Sequence, residues 1–148
     1  MAWAQKVISL QARKRGCHYI NEEIQKNLPE LKQFKLGVAH FFMQHTSASL
    51  CLGECWDREV LTDAEMLLNH IVPERGLKYT HTYEGSDDMP AHMKAILVGC
   101  SLTIPITDGQ LNMGTWQGLW LCEHRNHGGA LADCLERSCL TDVASAAS

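Results

Sequence analysis

The chain of 148 residues has a hydrophobic content of 45%, a charged content of 20% and a formal net charge of −4. This composition is typical of a soluble globular protein with one domain, and the scattered Lys and Arg argue against a general surface for nucleic acid or anionic membrane. No apolar run approaches the length of a membrane span and the N-terminus lacks a signal-peptide pattern, so we expect a cytoplasmic protein.

The first half of the chain predicts two strands and two helices. Trp3–Leu10 favours a strand, and Cys17–Asn27 favours a short helix because its apolar residues recur at helical spacing. Phe34–Met43 is strongly apolar and predicts a central strand. The apolar residues of Asp57–Ile71 again follow helical spacing, and Pro73 ends that segment.

The second half predicts a short strand, a helix and then two further strands. Tyr79–Tyr83 can form the short strand, and Met89–Val98 favours a helix because proline fits its first turn. Ser101–Ile106 alternates between apolar and polar residues, as a half-buried strand does. Asp108-Gly109 indicates a tight turn, and Thr115–Glu123 predicts the second strand.

Two acidic residues directly precede the predicted helix at Met89. Asp87 and Asp88 are expected to accept hydrogen bonds from the free N–H groups of the first turn, and their charge favours the positive end of the helix dipole.

The seven cysteines form no C-x-x-C pair. Cys51 and Cys55 are four residues apart, but no second pair has the spacing of a zinc ribbon. Reduced, mostly buried thiols in an intracellular protein are therefore the simplest expectation.

Histidines gather near the ends of the predicted segments. His45, His81, His92 and His124 are the four in such positions, and no two have the H-x-x-x-H spacing of a helical zinc site. A metal site would therefore have to be assembled from distant segments. The hydroxyls and the imidazole of Gln44–Ser49 can bind an anion at the end of a strand, although this stretch also suits an ordinary polar turn.

Four sequence motifs occur together and in order. They are HTSASL at His45–Leu50, EGSDDMPAHMK at Glu84–Lys94, SLTIPITDG at Ser101–Gly109 and GTWQGLWLCEHR at Gly114–Arg125. Through these motifs the chain resembles the YjbQ-type family, also called the secondary thiamine-phosphate synthase family, over roughly Trp3 to His127.

The resemblance implies a single-domain α+β fold with a largely antiparallel sheet and a few packed helices, assembled as a homotrimer. It also implies a weak thiamine-phosphate synthase activity, which joins a pyrimidine pyrophosphate to a thiazole phosphate and releases pyrophosphate. The expected partner is therefore a small phosphorylated metabolite, with no nucleic acid and no membrane.

The candidate catalytic residues follow from this chemistry, because loss of pyrophosphate needs acid–base groups and neutralised charge. We expect His45, His92 and His124 to act as the acid–base groups. Asp88, together with Glu84, is expected to hold Mg²⁺ or to orient a histidine.

The remaining candidates are expected to bind substrate. Arg125 has the planar fork of donors that suits phosphate, and Trp116 can stack on the pyrimidine. The full substrate-binding set is Thr46, Ser47, Ser49, Glu84, Trp116, Gln117 and Arg125.

Two other functions are compatible with the same residues. A metal-dependent hydrolase would use His45, His92 and His124 as ligands of Zn²⁺, with Glu84 or Glu123 nearby. A trimer that binds a metabolite without catalysis would need only the phosphate-binding groups.

The chain departs from the family pattern at two places. Gly53 stands where the family commonly has Asn. After Gly129 the family usually ends in a β-branched strand, whereas residues 130–148 are helix-prone and resemble an alternative C-terminus. We therefore predict a YjbQ-like domain over residues 1–129 and an atypical tail over residues 130–148. In the tail a short helix replaces the final strand, which leaves a sheet edge unpaired and the protein less stable.

Overall fold

The computed structural model describes residues 3–127 and, for its backbone, residues 135–141. This part of the chain contains three α-helices, one short 3₁₀ helix at Pro29–Gln33 and eight strands. The helices are α1 (Asn21–Asn27), α2 (Glu59–Ile71) and α3 (Asp88–Val98). The strands are β1 (Trp3–Ser9), β2 (Gly16–Tyr19), β3 (Leu36–Met43), β4 (Ala48–Glu54), β5 (Ser101–Thr107), β6 (Gln110–Leu111), β7 (Gln117–Glu123) and β8 (Leu135–Thr141).

The strands form two antiparallel sheets. The larger sheet has the order β1-β8-β3-β5-β6, and the smaller sheet has the order β2-β7-β4. Every strand pairing in both sheets is antiparallel. The predicted α+β class with antiparallel pairing is thus confirmed, as two sheets rather than one.

One main hydrophobic core joins the two sheets and α1. Phe41 of β3, Leu50 of β4 and Leu119 of β7 are each at most 1% exposed, and Ile24 of α1 is fully buried among them. Alternation along the strands places one face of each sheet in this core. Helix α2 covers a second, smaller cluster around Trp120.

Local sequence signals located the two longer helices and the tight turn. Helices α2 and α3 lie where helical periodicity and Pro90 predicted them. Asp108 and Gly109 both have positive φ angles, 50° and 78°, and join β5 to β6 as a two-residue hairpin. A turn of this type needs positive φ at both positions, which Asp-Gly tolerates well.

Two predicted elements are wrong. Cys17 to Tyr19 belong to strand β2 rather than to a helix, because they pair with Cys122 to Trp120 of β7. Helix α1 therefore begins only at Asn21. Tyr79–Tyr83 forms no strand but lies in the loop between α2 and α3, where no neighbouring strand is paired with it.

The tail prediction is also wrong over Leu135–Thr141. These residues form strand β8, which pairs with β1 on one side and with β3 on the other. Two neighbouring edges supply backbone partners, and such tertiary pairing overrides a local preference for helix. The sheet edge that was expected to remain unpaired is therefore filled, and the argument for lower stability no longer applies. Residues 130–134 and 142–148 of the predicted tail lie outside the described residues, and the division of the chain at Gly129 stays a prediction.

The departure at Gly53 has a steric explanation. A Cβ atom built on Gly53 would lie 2.5 Å from Cε2 of the Trp120 indole, whose side chain is held by a hydrogen bond from Nε1 to the carbonyl of Glu54 at 3.0 Å. The strand pairing brings the Trp120 ring over this position, so in this chain only glycine fits.

None of the described helices is long and apolar enough to cross a membrane.

We predict that Gly53→Ala lowers the free energy of unfolding by about 1–3 kcal/mol, because the new methyl group overlaps a rigid buried ring. Denaturant unfolding measures the change. Trp120→Leu in the same chain removes the ring, so the double variant should lose less than the sum of the two single losses. Strict additivity would contradict this explanation.

We also predict slow hydrogen exchange at the amides of Leu135–Thr141, because a strand with partners on both sides opens only with the sheet. The internal reference is β3, which should exchange at a similar rate. Exchange as fast as that of the exposed loop at residues 75–78 would show that this strand does not form in solution.

Candidate functional site

The candidate residues meet at one end of the smaller sheet. Ala48, the first residue of β4, lies opposite Glu123, the last residue of β7. The loop before β4 and the segment after β7 therefore leave the sheet at the same edge, and α3 packs against β4 beside them. This topology brings together the predicted motifs at residues 45–50, 84–94 and 114–125.

The carboxylate of Asp88 lies at the centre of the site. Its residue is only 1% exposed, in the first turn of α3. One oxygen accepts a hydrogen bond from Nη1 of Arg125. The other oxygen lies 2.8 Å from Nε2 of His81 and 3.2 Å from Nε2 of His92. Asp88 thus connects three segments of the chain.

The guanidinium of Arg125 is occupied by acidic and carbonyl groups. Besides Asp88, its Nε lies 3.2 Å from Oδ2 of Asp87, and Nη2 donates to the carbonyl of Glu84 at 2.8 Å. Burial alone would raise the pKa of Asp87, but the N–H of Asn126 and the charge of Arg125 hold that pKa below its usual value. In this arrangement Arg125 anchors carboxylates, and it would have to release them to bind phosphate.

The two acidic residues do not act as the predicted helix caps. Asp87 occupies the N-cap position without a side-chain capping bond. Its carboxylate instead accepts from Arg125 and from the backbone of Asn126 at 2.9 Å. Tertiary partners have taken the place of the N–H groups of the helix.

The tautomer of His92 is set by the β3–β4 loop. Its Nδ1 lies 3.0 Å from the carbonyl oxygen of Thr46 and 3.1 Å from the hydroxyl of Ser47. A carbonyl oxygen can only accept, so Nδ1 carries the proton and cannot remove one from Ser47. A Ser–His–Asp hydrolase that uses Ser47, His92 and Asp88 is therefore excluded in this geometry.

His45 lies on the same β3–β4 loop and is half-buried. Its Nδ1 accepts a hydrogen bond from the N–H of Ser47 at 3.0 Å, so Nε2 carries the proton of the neutral ring. Burial lowers the pKa of His45, and electrostatic interaction with the neighbouring His92 and Arg125 lowers that pKa further. Its available group is thus an N–H donor.

His124 lies behind the accessible site. It is 1% exposed, and its Nε2 lies 2.8 Å from the hydroxyl of Ser49, which is itself fully buried. Burial, with the nearby charges of Lys94 and Arg15, lowers the pKa of His124 to about 3. His124 and Ser49 therefore form a neutral, buried layer, out of direct reach of a substrate.

Two predicted substrate-binding residues lie at the other end of β7. Gln117 begins this strand and Glu123 ends it, so about 20 Å separates them at a rise of roughly 3.3 Å per residue. Trp116 is 55% exposed and contacts Trp56 edge to face, with ring centroids 5.4 Å apart. Within one chain, Trp116 and Gln117 do not meet the histidines.

The sequence pattern predicts no role for His81 and only a capping role for Asp87. The one readable signal was Asp88 and His92, which are four residues apart on a predicted helix and so share a face. His81 approaches them through an irregular loop, and sequence spacing carries no information about that path.

A groove of about 500 Å³ begins at His81. Its wall includes the apolar side chains of Leu77, Tyr79 and Met89 and the cation of Lys78. The imidazole rings of His81 and His92 are neighbours, with centroids 5.5 Å apart. Among the described residues, His81, Asp88 and His92 form the one group of three whose ligand atoms all lie within 4.8 Å of one another.

Comparison with known proteins gives consistent matches. A family model described as "UPF0047 protein YjbQ-like" matches residues 6–145. The chain is 45% identical over 128 residues to the UPF0047 protein YjbQ of Escherichia coli O157:H7, covering 86% of this chain and 92% of that protein. It is 41% identical over 121 residues to a UPF0047 protein of Synechocystis, covering 82% of each.

Solved structures show the same fold. A YbjQ-like protein of unknown function from Sulfolobus solfataricus matches with a TM-score of 0.71 at 19% identity, over 94% of each chain. An uncharacterised protein of the YjbQ/UPF0047 family from Clostridium acetobutylicum matches with a TM-score of 0.69 at 27% identity, over 93% of this chain and 98% of that one.

We predict that His124 makes the protein less stable in mild acid. Its folded-state pKa lies below the unfolded value near 6.5, so the unfolded chain binds the proton more tightly. Stability that is present above pH 6.5 should fall by about 2 kcal/mol on going to roughly pH 5. Denaturant unfolding at several pH values measures this slope.

The matched variants are His124→Gln, which cannot titrate, and His70→Gln, which replaces an exposed histidine of α2. The first should flatten the pH dependence and the second should leave it unchanged. An unchanged slope in folded His124→Gln would assign the acid sensitivity to another group.

Proposed function

We propose that this chain, which belongs to the YjbQ-like UPF0047 family, is an enzyme. Its substrate would be a small phosphorylated molecule, bound at the cluster of His45, His81 and His92. The observation that carries this proposal is the approach of the His81 and His92 imidazoles to the buried carboxylate of Asp88, with the half-buried His45 on the adjoining β3–β4 loop and a groove at His81. Partly buried histidines with a carboxylate partner are typical of acid–base sites.

Donor groups in and beside the groove suit a phosphate group, and the acidic lining residue Glu74 is paired with Arg15. His45 presents an N–H donor, His81 and Lys78 lie at the groove, and each can approach an anionic oxygen. Transfer or hydrolysis of a phosphorylated group places negative charge on the leaving oxygens, and donors fixed in a partly buried site stabilise that charge. Arg125 contributes indirectly, because it holds Asp88 in position.

The more specific proposal is a weak thiamine-phosphate synthase activity. It is supported by the family resemblance and by the apolar wall of Leu77, Tyr79 and Met89, which can accommodate the ring of an organic phosphate. In this proposal the histidines contact the pyrophosphate of the pyrimidine substrate. Trp116 could contribute only from another subunit, because of its distance along β7.

Assembly as a homotrimer is part of the proposal. Several large apolar side chains are exposed on the helices, including Ile96 (72%) and Leu97 (62%) of α3, and such surfaces favour association. The five described cysteines are free thiols, which suits the proposed cytoplasmic location. A trimer that binds a metabolite without catalysis would use the same groove.

A metal-dependent hydrolase is the second candidate. It is favoured by the close approach of three ligand atoms from His81, Asp88 and His92. The ligand set expected from the sequence, His45, His92 and His124, is less suitable, because His124 is buried against Ser49.

We predict that the purified chain releases pyrophosphate from the two thiamine precursors, or phosphate from a panel of small phosphate esters, in the presence of divalent cations. Phosphorus NMR of the reaction measures either product. His45→Ala should lower the turnover rate by about 100-fold or more, because it removes the imidazole donor from the site.

His70→Gln is the control, since this exposed histidine lies outside the cluster. Failure to release either product from any of these substrates would count against an enzyme. A rise in melting temperature with one of them, without turnover, would instead support a binding protein.

A further inference from the structure

We propose that His81, Asp88 and His92 bind a divalent transition-metal ion, with Zn²⁺ as the best chemical match. The inference concerns the same site as the proposed function and names the cofactor of that site. Metal binding is measured without turnover, however, so either claim can fail while the other stands.

The spacing of the ligand atoms fits one small ion. Oδ2 of Asp88 lies 2.8 Å from Nε2 of His81 and 3.2 Å from Nε2 of His92. Zinc bonds of 2.0–2.1 Å in a tetrahedron place neighbouring ligand atoms about 3.3 Å apart. The two distances to Asp88 are therefore close to those of a metal-bound set, and all three ligand atoms lie within 4.8 Å of one another.

The orientation of His92 is that of a metal ligand. Its Nδ1–H donates to the carbonyl of Thr46 at 3.0 Å, which leaves Nε2 of the neutral ring with a lone pair. That lone pair faces the carboxylate of Asp88 at 3.2 Å. Two electron-rich atoms at this distance repel each other unless a proton or a metal ion lies between them.

The groups around the ligands also fit a metal centre. A ligating histidine commonly donates its second N–H to a backbone carbonyl, and a ligating carboxylate is commonly held by a further hydrogen bond. Thr46 supplies the carbonyl for His92, and Arg125 holds the other oxygen of Asp88. His92 and Asp88, two of the three ligands, are thus each held in orientation by a hydrogen bond with a neighbouring residue.

The set favours an open, zinc-type site over the Mg²⁺ site expected from the sequence. Two imidazoles suit Zn²⁺, whereas Mg²⁺ prefers oxygen ligands. Glu84, the second expected Mg²⁺ ligand, has a mostly exposed side chain whose carboxylate lies 3.7 Å from Arg125. Three protein ligands also leave positions free, as in catalytic zinc sites, and the side chain of His81 is 42% exposed at the groove.

The experiment uses the full chain, purified without a histidine tag and freed of metal with a chelator. Co²⁺ is titrated in and followed by its visible d–d absorption, and Zn²⁺ binding is then measured by competition. We expect about one Co²⁺ ion per chain and the intense d–d absorption that is typical of Co²⁺ with a low coordination number. His81→Ala changes an exposed loop and should weaken binding by about 100-fold without unfolding the protein.

Two further variants distinguish this ligand set from the one expected from the sequence. His45→Gln should retain Co²⁺ binding within a few-fold, because His45 is outside the proposed set. His70→Ala, on the exposed face of α2, controls for nonspecific binding by surface histidines. His92→Ala should lose binding as His81→Ala does.

Three outcomes would overturn the inference. They are less than about a tenth of an equivalent of bound Co²⁺, binding that His81→Ala does not weaken, and equal losses in His45→Gln and His81→Ala. Any of these three outcomes, together with turnover of a phosphorylated substrate by the metal-free chain, would leave the proposed function standing. Tight metal binding without any turnover would sustain the inference and count against the proposed function.

Discussion

The site depends on the buried charge of Asp88. A carboxylate that is removed from water costs several kcal/mol unless it is paired and hydrogen-bonded, and Asp88 is 1% exposed. Its partners come from three segments, namely the loop before α3 at His81, the helix itself at His92 and the end of β7 at Arg125. Arg125 supplies the compensating positive charge, and its loss would leave the carboxylate uncompensated, so this contact holds the end of β7 against α3 and shapes the site.

The antiparallel pairing of β4 with β7 makes this arrangement possible. Because Ala48 lies opposite Glu123, the chain enters β4 and leaves β7 at one edge. The residues at this edge divide into two layers. His45 and His92 remain partly accessible, while Ser49 and His124 form a neutral pair behind them.

The fold is shared across the family, but a fold alone does not specify a reaction. The solved structures that match this chain share its architecture, and similarity to these relatives assigns no activity to it. Side-chain geometry therefore carries the functional information. The most informative features are the tautomer of His92, which Thr46 determines, and the guanidinium of Arg125, which is occupied by acidic and carbonyl groups.

Local signals in the sequence determined the elements that depend on near neighbours. Helical periodicity located α2 and α3, and Asp108-Gly109 located the β5–β6 hairpin, because these features follow from spacing and backbone sterics within a few residues. The four ordered motifs identified the family, and with it the antiparallel α+β class.

Only the tertiary structure decided the elements and roles that depend on distant partners. Strand β2 forms because β7 offers it a ladder about 100 residues later in the chain, and β8 forms between two strands that are far from it in sequence. The sequence located Asp88, His92 and Arg125 as candidate site residues but not the contacts that join them. Those contacts follow from charge pairing across 37 residues between Arg125 and Asp88 and from a loop that brings in His81, and local propensity contains no information about either.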